Sequence, residues 1–195
     1  MDLTYQDADG IDKRFKQIVN LSQKKSDNKI RAKRVHNYFS EKNLSLLDVG
    51  SGIGVFLYEM KKKKWVAKGI ELDKRYADYC KNKHGLIVYQ KSLSQLKTHE
   101  KFDLVSLNKV LEHVYDPTKL LKLFSKFLKK NGVIYIEVPD VLAKRKGKYR
   151  QEFTIDHLHV FSISSLCASL HLESSNGTDA SGTFSPVKNS THGLK

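Results

Sequence analysis

Apolar and polar positions along the chain change their spacing near residue 44. From residue 11 to residue 39, apolar side chains recur at helical intervals among many charges, and the polar stretch 22–28 divides this region into two predicted helices. Beyond it, short apolar runs alternate with amphipathic segments. The predicted strands cover 44–50, 66–71, 86–89, 102–107 and 133–138. The predicted helices between and after them cover 55–63, 74–83, 117–129 and 163–172.

Strands that alternate with helices at this spacing indicate βαβ units. We therefore predict an α/β domain with a doubly wound, mostly parallel sheet flanked by helices. The helical segment 1–40 precedes this domain, which we place at 41–172. Residues 173–195 are rich in Ser, Thr, Asn and Gly and are predicted to form a disordered tail.

Composition narrows the class of protein. The chain has 195 residues, the size of one domain, and a formal net charge of +14. Such a charge attracts nucleic acid, but most of the basic residues are lysines, whereas base readout favours arginine, so a solvated surface is the preferred interpretation. No apolar run is long enough for a membrane helix, and the N-terminus does not resemble a secretory signal. The isolated Cys80 and Cys167 fit a reducing cytoplasm.

The segment LLDVGSGIGVF at 46–56 carries the clearest chemical signal. A buried strand runs into a turn with three glycines, which lets a ligand approach the backbone, and then into a helix whose first N–H groups attract anions. In doubly wound sheets, ligands bind at the carboxyl ends of the strands. The turn misses the dinucleotide pattern GxGxxG because its third position falls on Val55.

Two carboxylates flank this turn. Asp48 precedes the first glycine, where it would repel a pyrophosphate but could face an ammonium group. Glu71 ends the second predicted strand, where a carboxylate can accept hydrogen bonds from both hydroxyls of a ribose. The pattern favours a cationic ligand that carries a nucleoside and lacks a pyrophosphate.

Five segments together resemble the class I S-adenosylmethionine-dependent methyltransferases, over roughly residues 30–170. They are LLDVGSGIG at 46–54, GIELD at 69–73, FDLVSLNKVLEHVYDP at 102–117, LLKLFSKFLKKNGVIYIEVPD at 120–140 and HLHVFSISSL at 157–166. The last is similar to a histidine-containing segment of the branch that acts on small molecules, including sugar and quinone methyltransferases. The resemblance implies a Rossmann-like fold and methyl transfer from S-adenosyl-L-methionine to a sugar, a glycan precursor or a quinone-like compound.

The resemblance also implies residue roles. Cofactor binding falls on the glycine turn, the acidic loop and the ends of the third and fourth strands: Asp48, Gly50, Ser51, Gly52, Gly54, Glu71, Leu72, Ser92, Leu93 and Asn108. Asp48 and the first two glycines would line the methionine moiety, and Leu72 would pack on the adenine. Ser92 stands where the family usually carries Asp. Related domains end in a helix and an antiparallel strand pair that 173–195 do not show, so we expect the C-terminal edge strands to be missing.

Three histidines are candidate general bases: His113, His157 and His159. His157 and His159 would share one face if they lay on a strand. Glu112 and His113 are alternatively interpreted as a capping pair at the start of a helix. No metal is expected. The basic segment 141–152 suggests an acidic acceptor such as a phosphate-bearing sugar, with a solvated loop as the alternative.

Three other functions remain as alternatives. The atypical C-terminus is compatible with a catalytically degenerate protein that still binds S-adenosylmethionine. A nucleic-acid methyltransferase is disfavoured because SLNKVLEH after the fourth strand lacks the (D/N/S)-P-P-(Y/F) signature. A nicotinamide-dependent oxidoreductase is disfavoured by the glycine spacing. Oligomeric state is not predicted.

Overall fold

The computed structural model describes residues 7–143 and 155–174. Its six α-helices are α1 (Ala8–Asn20), α2 (Asp27–Tyr38), α3 (Val55–Lys62), α4 (Lys74–His84), α5 (Pro117–Phe124) and α6 (Ile163–Ser174). The five strands are β1 (Ser45–Val49), β2 (Val66–Glu71), β3 (Ile87–Gln90), β4 (Phe102–Asn108) and β5 (Leu128–Glu137). The predicted alternation of strands and helices is confirmed.

Polar side chains fix where several helices begin. Asp7 caps α1 by accepting a 2.7 Å hydrogen bond from the Gly10 amide, and Ser26 caps α2. Asp116 caps α5, whose first residue is Pro117, a position where the missing proline N–H costs nothing. The Ser26 cap divides the N-terminal helical region within the predicted break at 22–28.

The sheet has the order β3-β2-β1-β4-β5, and every pair of neighbours is parallel. From β1 the strand order runs to β2 and β3 on one side, and from β4 it runs to β5 on the other side. The strand order therefore reverses between β1 and β4, and the carboxyl ends of these two strands border the crevice in which such sheets bind ligands. The predicted doubly wound, parallel architecture is confirmed.

Two hydrophobic cores cover the two faces of the sheet. Leu46 and Leu47 of β1 are both fully buried and lie on opposite faces, as the alternation of a strand requires. Helices α2, α3 and α4 pack over the Leu46 face, and α5 packs over the Leu47 face. A smaller cluster around Phe15 holds α1 against α3 and α4.

The predicted helix 117–129 is too long. α5 ends at Phe124, and β5 begins at Leu128, earlier than predicted. Phe124 and Phe127 are both buried, and the Phe127 carbonyl accepts a 2.7 Å hydrogen bond from the Phe102 amide. A turn at residues 125–127 therefore ends the helix and brings the chain into β5 beside β4. Gly132 lies inside β5, where the register with β4 shifts.

The region after β5 also differs from expectation. His157 and His159 lie in irregular backbone rather than on a strand. After them, Phe161 forms an isolated parallel bridge with Asp140, which lies beyond the end of β5. α6 continues to Ser174, so the first two residues of the predicted tail are helical. The remaining tail and most of the basic segment 141–152 lie outside the described residues. Within the described ranges, β5 has no second neighbouring strand.

Two other expectations concern the environment of the chain. Within residues 7–143 and 155–174, no helix has the length and apolar character needed to cross a bilayer. Cys80 and Cys167 are both free thiols. The cytoplasmic location stays a prediction.

Candidate functional site

The glycine turn between β1 and α3 is tied to the end of β2. The amides of Gly50 and Ser51 donate to the Ile70 carbonyl at 2.8 and 3.0 Å, and the Gly52 amide donates to Glu71 Oε2 at 2.7 Å. Glu71 Oε1 accepts a further bond from the Asp73 amide at 2.8 Å. The turn and the acidic loop predicted from the sequence therefore form one hydrogen-bonded unit.

Asp48 lies on β1 at the base of the crevice and is 2% exposed. Its Oδ1 accepts hydrogen bonds from Ser106 Oγ at 2.6 Å and from Asn108 Nδ2 at 2.8 Å, both on β4. Burial raises the pKa of Asp48 to about 6, although these two bonds and the charge of Arg31 oppose the rise. A cation placed beside this carboxylate would favour its ionised form.

Asn108 has an acceptor that suits such a cation. Its Nδ2 is used by Asp48, and its Oδ1 is buried with no hydrogen-bond partner among the described residues. A buried acceptor without a donor is costly. An ammonium group in the crevice could donate to Asn108 Oδ1 and to Asp48 Oδ2 together.

Arg31 is a site residue that the sequence analysis missed. It lies on α2, is 5% exposed and donates to Glu137 of β5 through Nε and Nη2, at 3.0 and 2.5 Å. Its Nη1 also donates to Asn28 at 3.0 Å. The signal was its position among the buried Ala32 and Val35 of an otherwise polar helix, which places an arginine on the side that faces the protein.

These side chains surround one cavity of about 260 Å³ at the carboxyl ends of β1 and β4. Its lining residues come from α1, α2, β1, the glycine turn, the start of α3 and the end of β4: Ile18, Asp27, Asn28, Arg31, Asp48, Gly50, Ser51, Gly52, Ile53, Val55, Phe56, Asn108 and Lys109. The N-terminal helices thus form one wall of the cavity. A guanidinium on one side and a carboxylate with an amide oxygen on the other match the two charged groups of an amino acid.

The remaining predicted cofactor residues have different surroundings. Leu72 follows Glu71 and is 69% exposed, an apolar surface available for stacking. Ser92 Oγ lies 3.0 Å from Gln95 Oε1 in a local capping box, and the Leu93 side chain is buried in the core. Gly54 lies against Cys80 and Leu86 and is not among the cavity-lining residues. We assign Gly54 to shaping the turn.

The structure brings together two of the three candidate histidines. The His113 and His157 rings have centroids 4.7 Å apart, whereas His159 lies near the Tyr115 carbonyl, 3.3 Å from its Nε2. His113 Nδ1 lies 2.9 Å from the Asp156 carbonyl oxygen. Because a carbonyl can only accept, Nδ1 carries the hydrogen of the neutral ring, which leaves Nε2 as a proton acceptor.

Glu112 lies beside these two histidines. One carboxylate oxygen of Glu112 and one ring nitrogen each of His113 and His157 lie within 4.8 Å of one another. Glu112 is 1% exposed, its Oε2 has no partner among the described residues, and burial raises its pKa. It lies in a short 3-10 helix and does not cap it, so the capping interpretation is wrong. Carboxylate and imidazole donors also bind divalent cations, and the expectation of no metal stays a prediction.

The fold and the cavity define an α/β protein with a candidate ligand site at the switch point of its sheet. The family model of a methyltransferase domain matches residues 22–172. The chain belongs to this methyltransferase family. The match confirms the class predicted from the sequence and S-adenosylmethionine as the cofactor of that class.

Curated relatives share only part of the chain. A ubiquinone biosynthesis O-methyltransferase of Pelagibacter ubique (strain HTCC1062) is 34% identical over 100 residues, which are 49% of this chain and 42% of the relative. A protein of the same name from Pasteurella multocida (strain Pm70) is 30% identical over 107 residues, 46% of this chain and 44% of the relative. The chain spans less than half of the length of these relatives.

Solved structures confirm the fold. A SAM-dependent methyltransferase from Archaeoglobus fulgidus matches with a TM-score of 0.60 at 21% identity, over 77% of this chain and 71% of that one. The sugar N-methyltransferase KedS8 from Streptoalloteichus sp ATCC 53650 matches with a TM-score of 0.52 at 20% identity, over 61% and 51% of the two chains. At these identities the likeness establishes the Rossmann-like architecture.

Proposed function

We propose that this chain transfers the methyl group of S-adenosylmethionine to an oxygen or nitrogen atom of a small-molecule acceptor. One observation carries the proposal: buried Arg31, Asp48 and Asn108 Oδ1 line the same cavity beside the glycine turn. They match the carboxylate and the ammonium of the cofactor's methionine moiety. Glu71 would then hold the ribose hydroxyls, and the exposed Leu72 would pack on the adenine.

Methyl transfer needs little chemistry from the protein. When bound, the cofactor supplies an electrophilic methyl carbon, and the protein holds the acceptor in line with it. On transfer, the acceptor atom would form a bond to that carbon as the sulfur–methyl bond broke, and S-adenosylhomocysteine would be left as the co-product. The proton of the acceptor passes to Nε2 of His113, whose Nδ1 is held by the Asp156 carbonyl.

The acceptor is proposed at the level of its class. Relatives named for ubiquinone biosynthesis and for sugar N-methylation support either a phenolic quinone precursor or an amino sugar. The acidic-acceptor hypothesis depends on the basic segment 141–152, which lies largely outside the described residues. A phosphorylated sugar therefore remains one of the acceptors to be tested.

Calorimetric titration tests the cofactor first. We expect S-adenosylmethionine to bind with a Kd of roughly micromolar order, NAD not to bind, and Glu71→Ala to weaken binding at least ~tenfold. Glu100→Gln is the matched control, because Glu100 pairs with Lys68 on the surface, and it should bind as the wild type does. A folded wild-type protein that binds neither ligand would contradict the proposal.

An acceptor screen then tests turnover, with a catechol-bearing quinone precursor, an amino sugar and a phosphorylated sugar. His113→Gln should lower kcat on the best acceptor roughly a hundredfold and leave the cofactor Kd unchanged. His159→Gln, at the Tyr115 carbonyl, is the matched control with a much smaller expected effect. Equal losses in the two variants would remove His113 from the proposed proton transfer.

A further inference from the structure

We propose that Glu137, at the end of β5, is a positioning residue for cofactor recognition. It holds the Arg31 guanidinium in the orientation that binds the carboxylate of the methionine moiety. This inference rests on the proposed function, because it places S-adenosylmethionine in the cavity lined by Arg31. Glu137 itself acts only through Arg31.

The contact between the two side chains is bidentate. Arg31 Nε donates to Glu137 Oε2 at 3.0 Å, and Nη2 donates to Oε1 at 2.5 Å. Two parallel bonds between a planar guanidinium and a planar carboxylate fix the plane of the arginine as well as its position. The two side chains are only 6% and 19% exposed, so water competes little for these bonds.

A second layer fixes the carboxylate. Tyr135 donates its hydroxyl to Glu137 Oε2 at 3.0 Å, and Arg34 Nη1 donates to the Tyr135 hydroxyl oxygen at 3.0 Å. Burial opposes ionisation of Glu137, but the hydrogen bond and charge of Arg31, with help from Tyr135, outweigh it and lower its pKa. Glu137 is therefore an anion at neutral pH.

This arrangement leaves the arginine with donors to spare. A guanidinium has five N–H groups, and the bonds to Glu137 and Asn28 use three of them. The others can meet the cofactor carboxylate in the cavity. Without Glu137, the Arg31 guanidinium would no longer be held in one orientation. Arg31 would then lose more rotamer entropy when it binds the ligand.

A comparison of two ligands separates positioning from a structural role. S-adenosylhomocysteine carries the amino-acid moiety, whereas 5′-methylthioadenosine has the same adenosine and a thioether sulfur but no carboxylate. In Glu137→Gln we expect the Kd of S-adenosylhomocysteine to rise at least ~tenfold and that of methylthioadenosine to stay within about twofold of the wild-type value. Equal weakening of both ligands, or of neither, would overturn the proposal.

Further variants guard against misfolding and identify the failing step. Tyr135→Phe removes only the hydroxyl that holds Glu137 and should show the same selectivity with a smaller loss, of about threefold. Glu137→Asp keeps the charge and should recover part of the selectivity. Glu100→Gln, which removes a surface carboxylate, should change neither Kd. Failure of the wild type to bind either ligand would instead contradict the proposed function.

Discussion

At the residue scale, Asp48 is the group in the cavity whose charge changes within an accessible pH range. Burial disfavours its ionised form, and this outweighs the hydrogen bonds from Ser106 and Asn108 and the attraction of Arg31. The resulting pKa of about 6 means that the carboxylate is mainly ionised at neutral pH and mainly protonated at about pH 5. A protonated carboxyl no longer attracts the cofactor ammonium.

We therefore predict that cofactor affinity falls as the pH drops through about 6. The ionised form binds the ammonium, so the Kd of S-adenosylhomocysteine should rise by up to ~tenfold for each pH unit below this pKa. Titration calorimetry between about pH 5 and about pH 8 measures the effect. Asp48→Asn is the control: its affinity should be lower at neutral pH and nearly independent of pH. A wild-type Kd that is constant over this range would contradict the assignment.

At the element scale, the start of α3 depends on how closely it packs against α4. Gly54 has φ +79°, and a Cβ built on it would lie 2.6 Å from Cys80 Sγ and 2.9 Å from Leu86 Cδ1. Gly52, in the same turn, also has a left-handed φ, of +53°, but no atom lies within 4 Å of its added Cβ. The two positions therefore separate backbone strain from steric overlap.

Gly54→Ala should destabilise the protein by roughly 2–4 kcal/mol, because strain and overpacking add. Gly52→Ala should cost only about 1 kcal/mol, the contribution of the left-handed backbone alone. Urea denaturation of both variants measures the difference. Cys80→Ala removes one of the two overlapping side-chain atoms. Gly54→Ala should therefore destabilise the Cys80→Ala variant less than it destabilises the wild type. Equal destabilisation by the two glycine variants would show that steric overlap with Cys80 and Leu86 adds nothing to the cost of Gly54→Ala.

Elements that depend on local patterns were predictable, and those that depend on distant contacts were not. The strand LSLLDVG and the glycine turn are recognisable because an apolar run and the glycines that follow it are adjacent in the sequence. The end of α5 was not predictable, because it depends on a backbone hydrogen bond from the Phe102 amide to the Phe127 carbonyl, which joins residues that are distant in sequence. Arg31 was missed for the same reason, since its partner Glu137 is far away in sequence.

At the scale of the whole molecule, the net charge of +14 need not indicate a polyanionic partner. Lys74 pairs with Asp78 and Lys16 pairs with Asp12 on the surface of the described part, and the two lysine side chains are 70% and 67% exposed. Exposed pairs of this kind contribute little to stability and keep lysines solvated. They support the interpretation of the basic residues as surface, in agreement with a family defined by its methyltransferase domain.

The cavity walls come from segments far apart in the sequence, since α2 supplies Arg31 and the end of β4 supplies Asn108. A ligand that bridges them should therefore stabilise the fold as a whole. At ~100 times its Kd, S-adenosylhomocysteine should add about 2.7 kcal/mol to the free energy of unfolding and raise Tm by roughly 5–10 °C. Thermal unfolding at several ligand concentrations measures the shift. Glu71→Ala needs proportionally more ligand for the same Tm, and an unchanged wild-type Tm at saturating ligand would contradict binding of the cofactor product to the folded protein.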